Sequence, residues 1–141
     1  PHAVLAHRAK SIKWGKPYRS WKKYRWYHFL FKRIRLGYFS LQTGVGGVLY
    51  PPHALRNDFL DPSLFTRMAP TTDDIWFWAA ATANGTPVLP IPFGHNKPKG
   101  LPKPKSLMLK TENFKGRTDR NAAALENILE HYPEIRAKLQ L

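Results

Sequence analysis

Apolar and polar positions change period several times along this chain, and each change predicts an element. The opening stretch HAVLAHRAKSIKW (2–14) alternates weakly and runs into Trp14 and Gly15, which predicts a strand leading into a basic turn. From Tyr18 to Phe39 aromatic and basic residues mix with no clean period, so this part reads as an irregular segment holding one helical turn. From Ser40 the pattern sharpens. Gly44, Gly46 and Gly47 permit backbone angles that side chains forbid, and Val48, Leu49 and Tyr50 then form a short buried strand that Pro51 and Pro52 must end. TTDDIWFWAAATANG (71–85) carries the signals of a helix: a Thr at the N-cap, Asp73 and Asp74 in the first turn where the helix dipole favours negative charge, an Ala-rich body, and Asn84-Gly85 as its stop. TPVLPIPF (86–93) predicts a brief edge strand interrupted by prolines. A closing helix is expected in TDRNAAALENILEHYPEIRAKL (118–139), with Leu125, Ile128 and Leu129 as its buried stripe and Pro133 as its break. Strands and helices alternate without an internal repeat, so the expected class is a mixed α/β (α+β) fold.

The composition is compatible with one domain over residues 1–141: the 141-residue chain is 43% hydrophobic, enough to fill one core. Cysteine is absent, which excludes disulfides, thiolate metal sites and a thiol nucleophile, and favours an intracellular protein. Lys, Arg, Pro or Asp interrupts every apolar stretch before it reaches the roughly 20 residues of a membrane span. The chain begins at Pro1 without Met or a signal-like region, the mark of a processed piece or a truncated reading frame.

Charge changes the picture more. The net charge is +14, and twelve Lys or Arg residues precede the first acid, Asp58. Residues 1–39 thus form a basic, aromatic-rich segment. A second basic run, Lys97, Lys99, Lys103, Lys105 and Lys110, is threaded with Pro98, Pro102 and Pro104, which favours solvated, extended backbone and a Lys/Pro-rich loop over residues 95–106.

These motifs together resemble a known family. GVGGVLYPP (44–52), the Asp58-Phe59 pair that follows, and APTTDDIWFWAAATANGTPV (69–88) look like the C-terminal half of bacterial glycosyltransferases that build surface polysaccharides. PHAVLAHRAKSI (1–12) and TDRNAAALENILEHYP (118–133) resemble stretches flanking those motifs, so the likeness covers most of the chain. It implies a partial glycosyltransferase A-like sheet with flanking helices, the acceptor-side half of a longer enzyme. The nucleotide-binding half, with its metal-binding Asp-X-Asp, has no counterpart here. The resemblance therefore implies no cofactor in this chain, manganese or magnesium in the complete enzyme, a nucleotide-sugar donor, and a glycan or lipid-linked acceptor. It also implies a cytoplasmic location at the inner face of the membrane.

Sugar transfer to a hydroxyl needs a carboxylate to take the acceptor proton when the anomeric centre inverts, and positive charge or a metal for the departing diphosphate. Asp73 and Asp74, aimed by a helix start, suit the first role, and by resemblance they match the acidic motif that supplies the base. Taken locally, the same two acids are ordinary dipole partners. Thr43, Gly44, Val45, Gly46 and Gly47 make a candidate substrate-binding wall, because glycine lets a ligand approach the backbone and its N–H groups. A plain tight turn between strands is the alternative. Trp76 and Trp78 lie two apart in the helix, one expected to pack inward and the other to meet a partner; Trp76 is the sugar-stacking candidate, set against the commoner use of large aromatics to fill a core. His53 is placed at the rim. His95, beside lysines in FGHNKPKG, is the one candidate for a metal or diphosphate contact, and six scattered His predict no self-contained metal site.

The basic front fits an anionic membrane surface or a lipid phosphate, or a merely solvated face. Nucleic acid ranks last, since no recognised nucleic-acid module is visible. Two function classes stay open: a glycosyltransferase or its acceptor half, and a non-catalytic basic module binding nucleic acid or anionic lipid. A sheet edge and apolar face left open by truncation would favour a homodimer.

Overall fold

The computed structural model describes residues 2–31, 34, 36–92 and 119–139. They form a mixed α/β arrangement of two small sheets and five α-helices. The expected opening strand is two strands, β1 (Val4–Ala6) and β2 (Ala9–Ser11), because the chain passes from one sheet to the other at His7 and Arg8. β1 is the centre of a three-stranded sheet, pairing antiparallel with β4 (Val48–Leu49) and parallel with β5 (Val88–Pro90). β2 pairs antiparallel with β3 (Ser40–Gln42), with Lys10 opposite Leu41. β5 is the expected edge strand, where Pro90 can lack an N–H without breaking a ladder. Gly37 closes part of its outer side through a bridge to Val88.

The strand after the glycines is a correction. β4 is not buried: it has a neighbour on one side only, and Leu49 is 65% exposed. Between Tyr18 and Phe39 the basic segment holds a 3-10 turn (Tyr18–Ser20) and one short helix, α1 (Trp26–Leu30), in line with the irregular reading.

Helix α2 (Pro62–Met68) starts where the Asp61 carboxylate accepts the Ser63 N–H at 2.8 Å, with Pro62 in the first turn. Helix α3 (Asp73–Ala83) sits at the centre of the core. Ile75, Trp76, Trp78 and every residue from Ala79 to Ala83 on it are buried, because β3 packs on one side while α4 (Arg120–His131) and α5 (Pro133–Lys138) pack on the other. A helix apolar nearly all round belongs in such a place. Its C-terminal end is held by Lys138, whose Nζ donates to the Thr82 and Ala83 carbonyls at 2.9 and 2.8 Å, a cation at the negative end of the dipole. Leu125, Ile128 and Leu129 form the buried stripe of α4 as expected, and Pro133 divides α4 from α5. Among the described residues no helix is long and apolar enough to cross a membrane.

Arg56 ties this helical layer together. Its guanidinium donates to both Asp58 oxygens, at 2.8 and 2.7 Å, and to Glu134, and it lies over the Tyr132 ring at 4.8 Å. The Arg56 hydrogen bonds hold the Asp58 carboxyl below its usual value. At Glu134 burial is the largest single influence and pushes upward, but the Arg56 hydrogen bond, the Glu134 backbone N–H and the Arg56 charge together outweigh it and the net shift is downward. Carboxylates lowered in the folded state stabilise it above their unfolded pKa, and that contribution fades as pH falls through the folded values. The unfolding temperature is therefore expected to fall between about pH 5 and about pH 3. In Arg56→Gln that slope should flatten; both carboxylates are more than a third exposed, so the loss at neutral pH is under about 1 kcal/mol. An unchanged slope in the variant would remove Arg56 from the linkage.

Candidate functional site

Three chain segments converge at one end of the small sheets: the β1–β2 step at His7 and Arg8, the turn after β3, and the start of α3. The turn is fixed by hydrogen bonds of Thr43 N–H to the Arg8 carbonyl at 2.9 Å and of Gly47 N–H to the Gly44 carbonyl at 3.2 Å. Gly46 and Gly47 have φ of 99° and 97°, a region that side chains avoid, so these two glycines are required by the turn. Gly47→Ala is expected to destabilise the domain by about 1–2 kcal/mol through backbone strain. A Cβ on Gly44, 3.4 Å from Asp74 Oδ1, makes ordinary contact, so Gly44→Ala should cost less. Urea denaturation of the two variants checks the ranking, which equal losses would contradict.

The turn and the helix start meet directly. Gly44 N–H donates to Asp74 Oδ1 at 2.7 Å, joining the glycine segment to the acid pair across 30 positions of sequence. Among the described residues the other oxygen, Oδ2, has no hydrogen-bond partner. Burial raises the Asp74 pKa, the Gly44 N–H opposes the rise, Asp73 adds to it, and Arg8 and Lys10 oppose it. Asp73 is exposed. Asp74 is thus a half-buried carboxylate hydrogen-bonded at one oxygen and, among the described residues, unbonded at the other.

Arg8, in the step between β1 and β2, and Lys10, on β2, both act electrostatically on Asp74. Arg8 Nε is buried with no hydrogen-bond partner among the described residues. Lys10 Nζ lies 3.6 Å from the centroid of the Tyr18 ring. Burial first, then Lys23 and Arg8, pull the Lys10 pKa down to about 8, against the opposing fields of Asp119 and Asp74. Burial first, then Asp74, pushes Tyr18 up to about 12. Gln42 Nε2 donates to the Tyr50 hydroxyl at 3.2 Å, leaving Gln42 Oε1 buried with no partner among the described residues. Asp119 caps α4 through Oδ1, while its Oδ2 is likewise buried and unpartnered among those residues.

The sequence-predicted residues divide. Asp73 and Asp74 stand at the start of α3 beside Gly44, as one group. Thr43 is buried and its hydroxyl donates to the Arg8 carbonyl, whereas Val45 is 56% exposed. The amides of Gly44 and Gly47 are engaged within the protein, so this part of the wall serves Asp74 and the turn. Trp76 needs correcting. It is 2% exposed, donates its indole N–H to the Phe59 carbonyl at 3.0 Å, and has no face to offer a sugar. Trp78 is buried too, donating to the Tyr38 carbonyl. Two-apart spacing does separate the rings around the helix, but α3 is covered on both sides; Phe77 is the aromatic that faces outward, 5.9 Å from the Tyr50 ring. Thr72 occupies the N-cap position, yet its hydroxyl makes no capping bond.

His53 lines a depression of about 480 Å³ with Leu55, Arg56, Asn57, Asp58 and Asn84, away from the Asp74 group. His95 and the loop at 95–106 lie outside the described residues. Among those residues no three His, Cys, Asp or Glu side chains gather where a metal could be held. Part of the aromatic content of the basic front is structural: Tyr18 and Trp21 are buried against each other, and the Trp21 indole donates to the Lys13 and Lys16 carbonyls.

Pattern reading missed Arg8, Lys10, Tyr18 and Asp119. A signal for the first two was present, since both interrupt the small and apolar positions Ala6, Ala9 and Ile12 with a two-residue period. No protein-family model, curated protein or solved structure matches the chain.

Proposed function

We propose that the chain is the acceptor-side half of a glycosyltransferase A-type enzyme of bacterial surface-polysaccharide synthesis, with Asp74 as the base. The observation that carries this reading is the Gly44 N–H to Asp74 bond, which holds one oxygen of a half-buried acid while Oδ2 has no hydrogen-bond partner among the described residues. In the proposed step an acceptor hydroxyl oxygen attacks the anomeric carbon of a nucleotide sugar. Its proton passes to Asp74 Oδ2, and the bond from that carbon to the diphosphate breaks, the electron pair leaving with the nucleotide. A raised pKa moves the carboxylate towards the operating pH, where a general base works best. Asp73 adds negative charge that raises it further.

Donor binding and a divalent metal, manganese or magnesium, belong on this reading to an Asp-X-Asp half encoded upstream. Work at the cytoplasmic face of the membrane on a glycan or lipid-linked acceptor is part of the same proposal, and the cationic front suits an anionic surface there.

The test starts with the coding sequence upstream of Pro1, expected to encode an Asp-X-Asp in a nucleotide-binding pattern. The polypeptide spanning both halves, given labelled nucleotide sugars and manganese, should form a glycosylated acceptor. An upstream sequence without that pattern, together with no transfer from a panel of donors, would overturn the proposal.

A further inference from the structure

Arg8 and Lys10 set two cations near Asp74 that a hydroxyl acceptor alone does not require. The buried Arg8 Nε has no hydrogen-bond partner among the described residues, which is uncommon for a guanidinium N–H in a folded protein. Neither side chain forms an ion pair with an acid among the described residues. Both nevertheless sit near enough to Asp74 for each to affect its ionisation. The Thr43 N–H bond to the Arg8 carbonyl holds Arg8 beside the turn that bonds Asp74, and the Tyr18 ring lies 3.6 Å from Lys10 Nζ.

We infer that Arg8 and Lys10 form an oxyanion site for the acceptor, which carries a phosphate ester or a carboxylate near the hydroxyl that Asp74 deprotonates. The assignment to the acceptor rests on the proposed role of Asp74: cations that neighbour the base lie where the accepting sugar must lie. Arg gives the fork suited to phosphate or carboxylate, and Lys adds a point charge. The Arg8 charge helps to lower the Lys10 pKa, and an anion bound between the two would relieve that repulsion.

Sulfate is the probe, since its charge is constant through the range, and calorimetry at fixed ionic strength is the readout. Sulfate is expected to bind the chain, about tenfold more weakly in Arg8→Gln. The groups facing Lys10 are Arg8, Lys23, Asp74, Asp119 and Tyr18. With its pKa near 8, Lys10 loses its charge as pH rises, so affinity should fall about five- to tenfold from pH 7 to 9, and Lys10→Arg should abolish that fall. Lys10→Gln carries the test should Arg8→Gln fail to fold. Glucose 1-phosphate and glucuronate, as competitors, tell a phosphate from a carboxylate acceptor; either should displace sulfate better than uridine diphosphate does. No sulfate binding, equal affinity in both variants, or stronger competition by uridine diphosphate would overturn the inference. Binding retained in a complete enzyme that transfers no sugar would instead count against the catalytic role of Asp74 and leave the oxyanion site standing.

Discussion

If Asp74 is the base of the proposed transfer, Asp74→Asn in a polypeptide spanning both proposed halves is expected to lower that transfer by about a hundred- to ten-thousand-fold, the usual contribution of a positioned general base. The amide keeps an oxygen for the Gly44 N–H, so the 2.7 Å link between turn and helix can survive while the proton acceptor is lost. Stability should move the other way. Burial raises the Asp74 pKa, so between the ordinary and the raised value the folded state binds more protons than the unfolded one. Stability on that account falls as pH rises through this window and remains lower above it. Removing the charge relieves this strain, and the variant should unfold at the same temperature as the parent or a higher one at neutral pH. Catalytic residues often trade stability for function in this way. A variant that transfers normally would take Asp74 out of the mechanism; one that unfolds much earlier would give it a structural role.

The largest stability effect is expected at Trp78. Its ring is fully buried on α3, and its indole N–H donates to the Tyr38 carbonyl at 3.0 Å, tying the central helix to the segment before β3. Trp78→Ala leaves a cavity and an unpaired carbonyl, a loss of about 3–5 kcal/mol. Domains of this kind have only about 5–15 kcal/mol in total, so much of the folding free energy is at stake. Urea denaturation should show a midpoint lowered by a large fraction, or no cooperative transition at all. Trp78→Phe, which keeps most of the ring, should lose less. A change under about 1 kcal/mol in the Ala variant would show that the core closes around the gap.

What could be read from the residues follows from how local the cause was. α3 and α4 were legible because their start signals, stop signals and apolar stripes lie within one element. The acid pair was legible as a helix start, and the glycines as a turn. Their meeting was not, since a bond between residues 44 and 74 depends on how β3 and α3 pack. The break of the first strand at His7 and Arg8 was hidden because both halves keep a weak alternation; the switch of partner from β4 and β5 to β3 is a tertiary choice. Burial was misjudged in opposite directions at Leu49 and Trp76 for one reason. Periodicity says which residues share a face, and neighbouring elements decide how many faces are covered. Arg8 and Lys10 read as two more bases in a cationic front, and only their proximity to Asp74 separates them from the rest.

The most direct measurement is a pH titration of the isolated chain by NMR, following the Asp74 side-chain carboxyl carbon and the Gly44 amide together. The Asp74 midpoint should lie above the ordinary aspartate value of 3.8, and the Gly44 amide should shift with the same midpoint because it donates to that carboxylate. A midpoint at or below the ordinary value, or a Gly44 amide indifferent to it, would contradict a poised base held by the glycine turn.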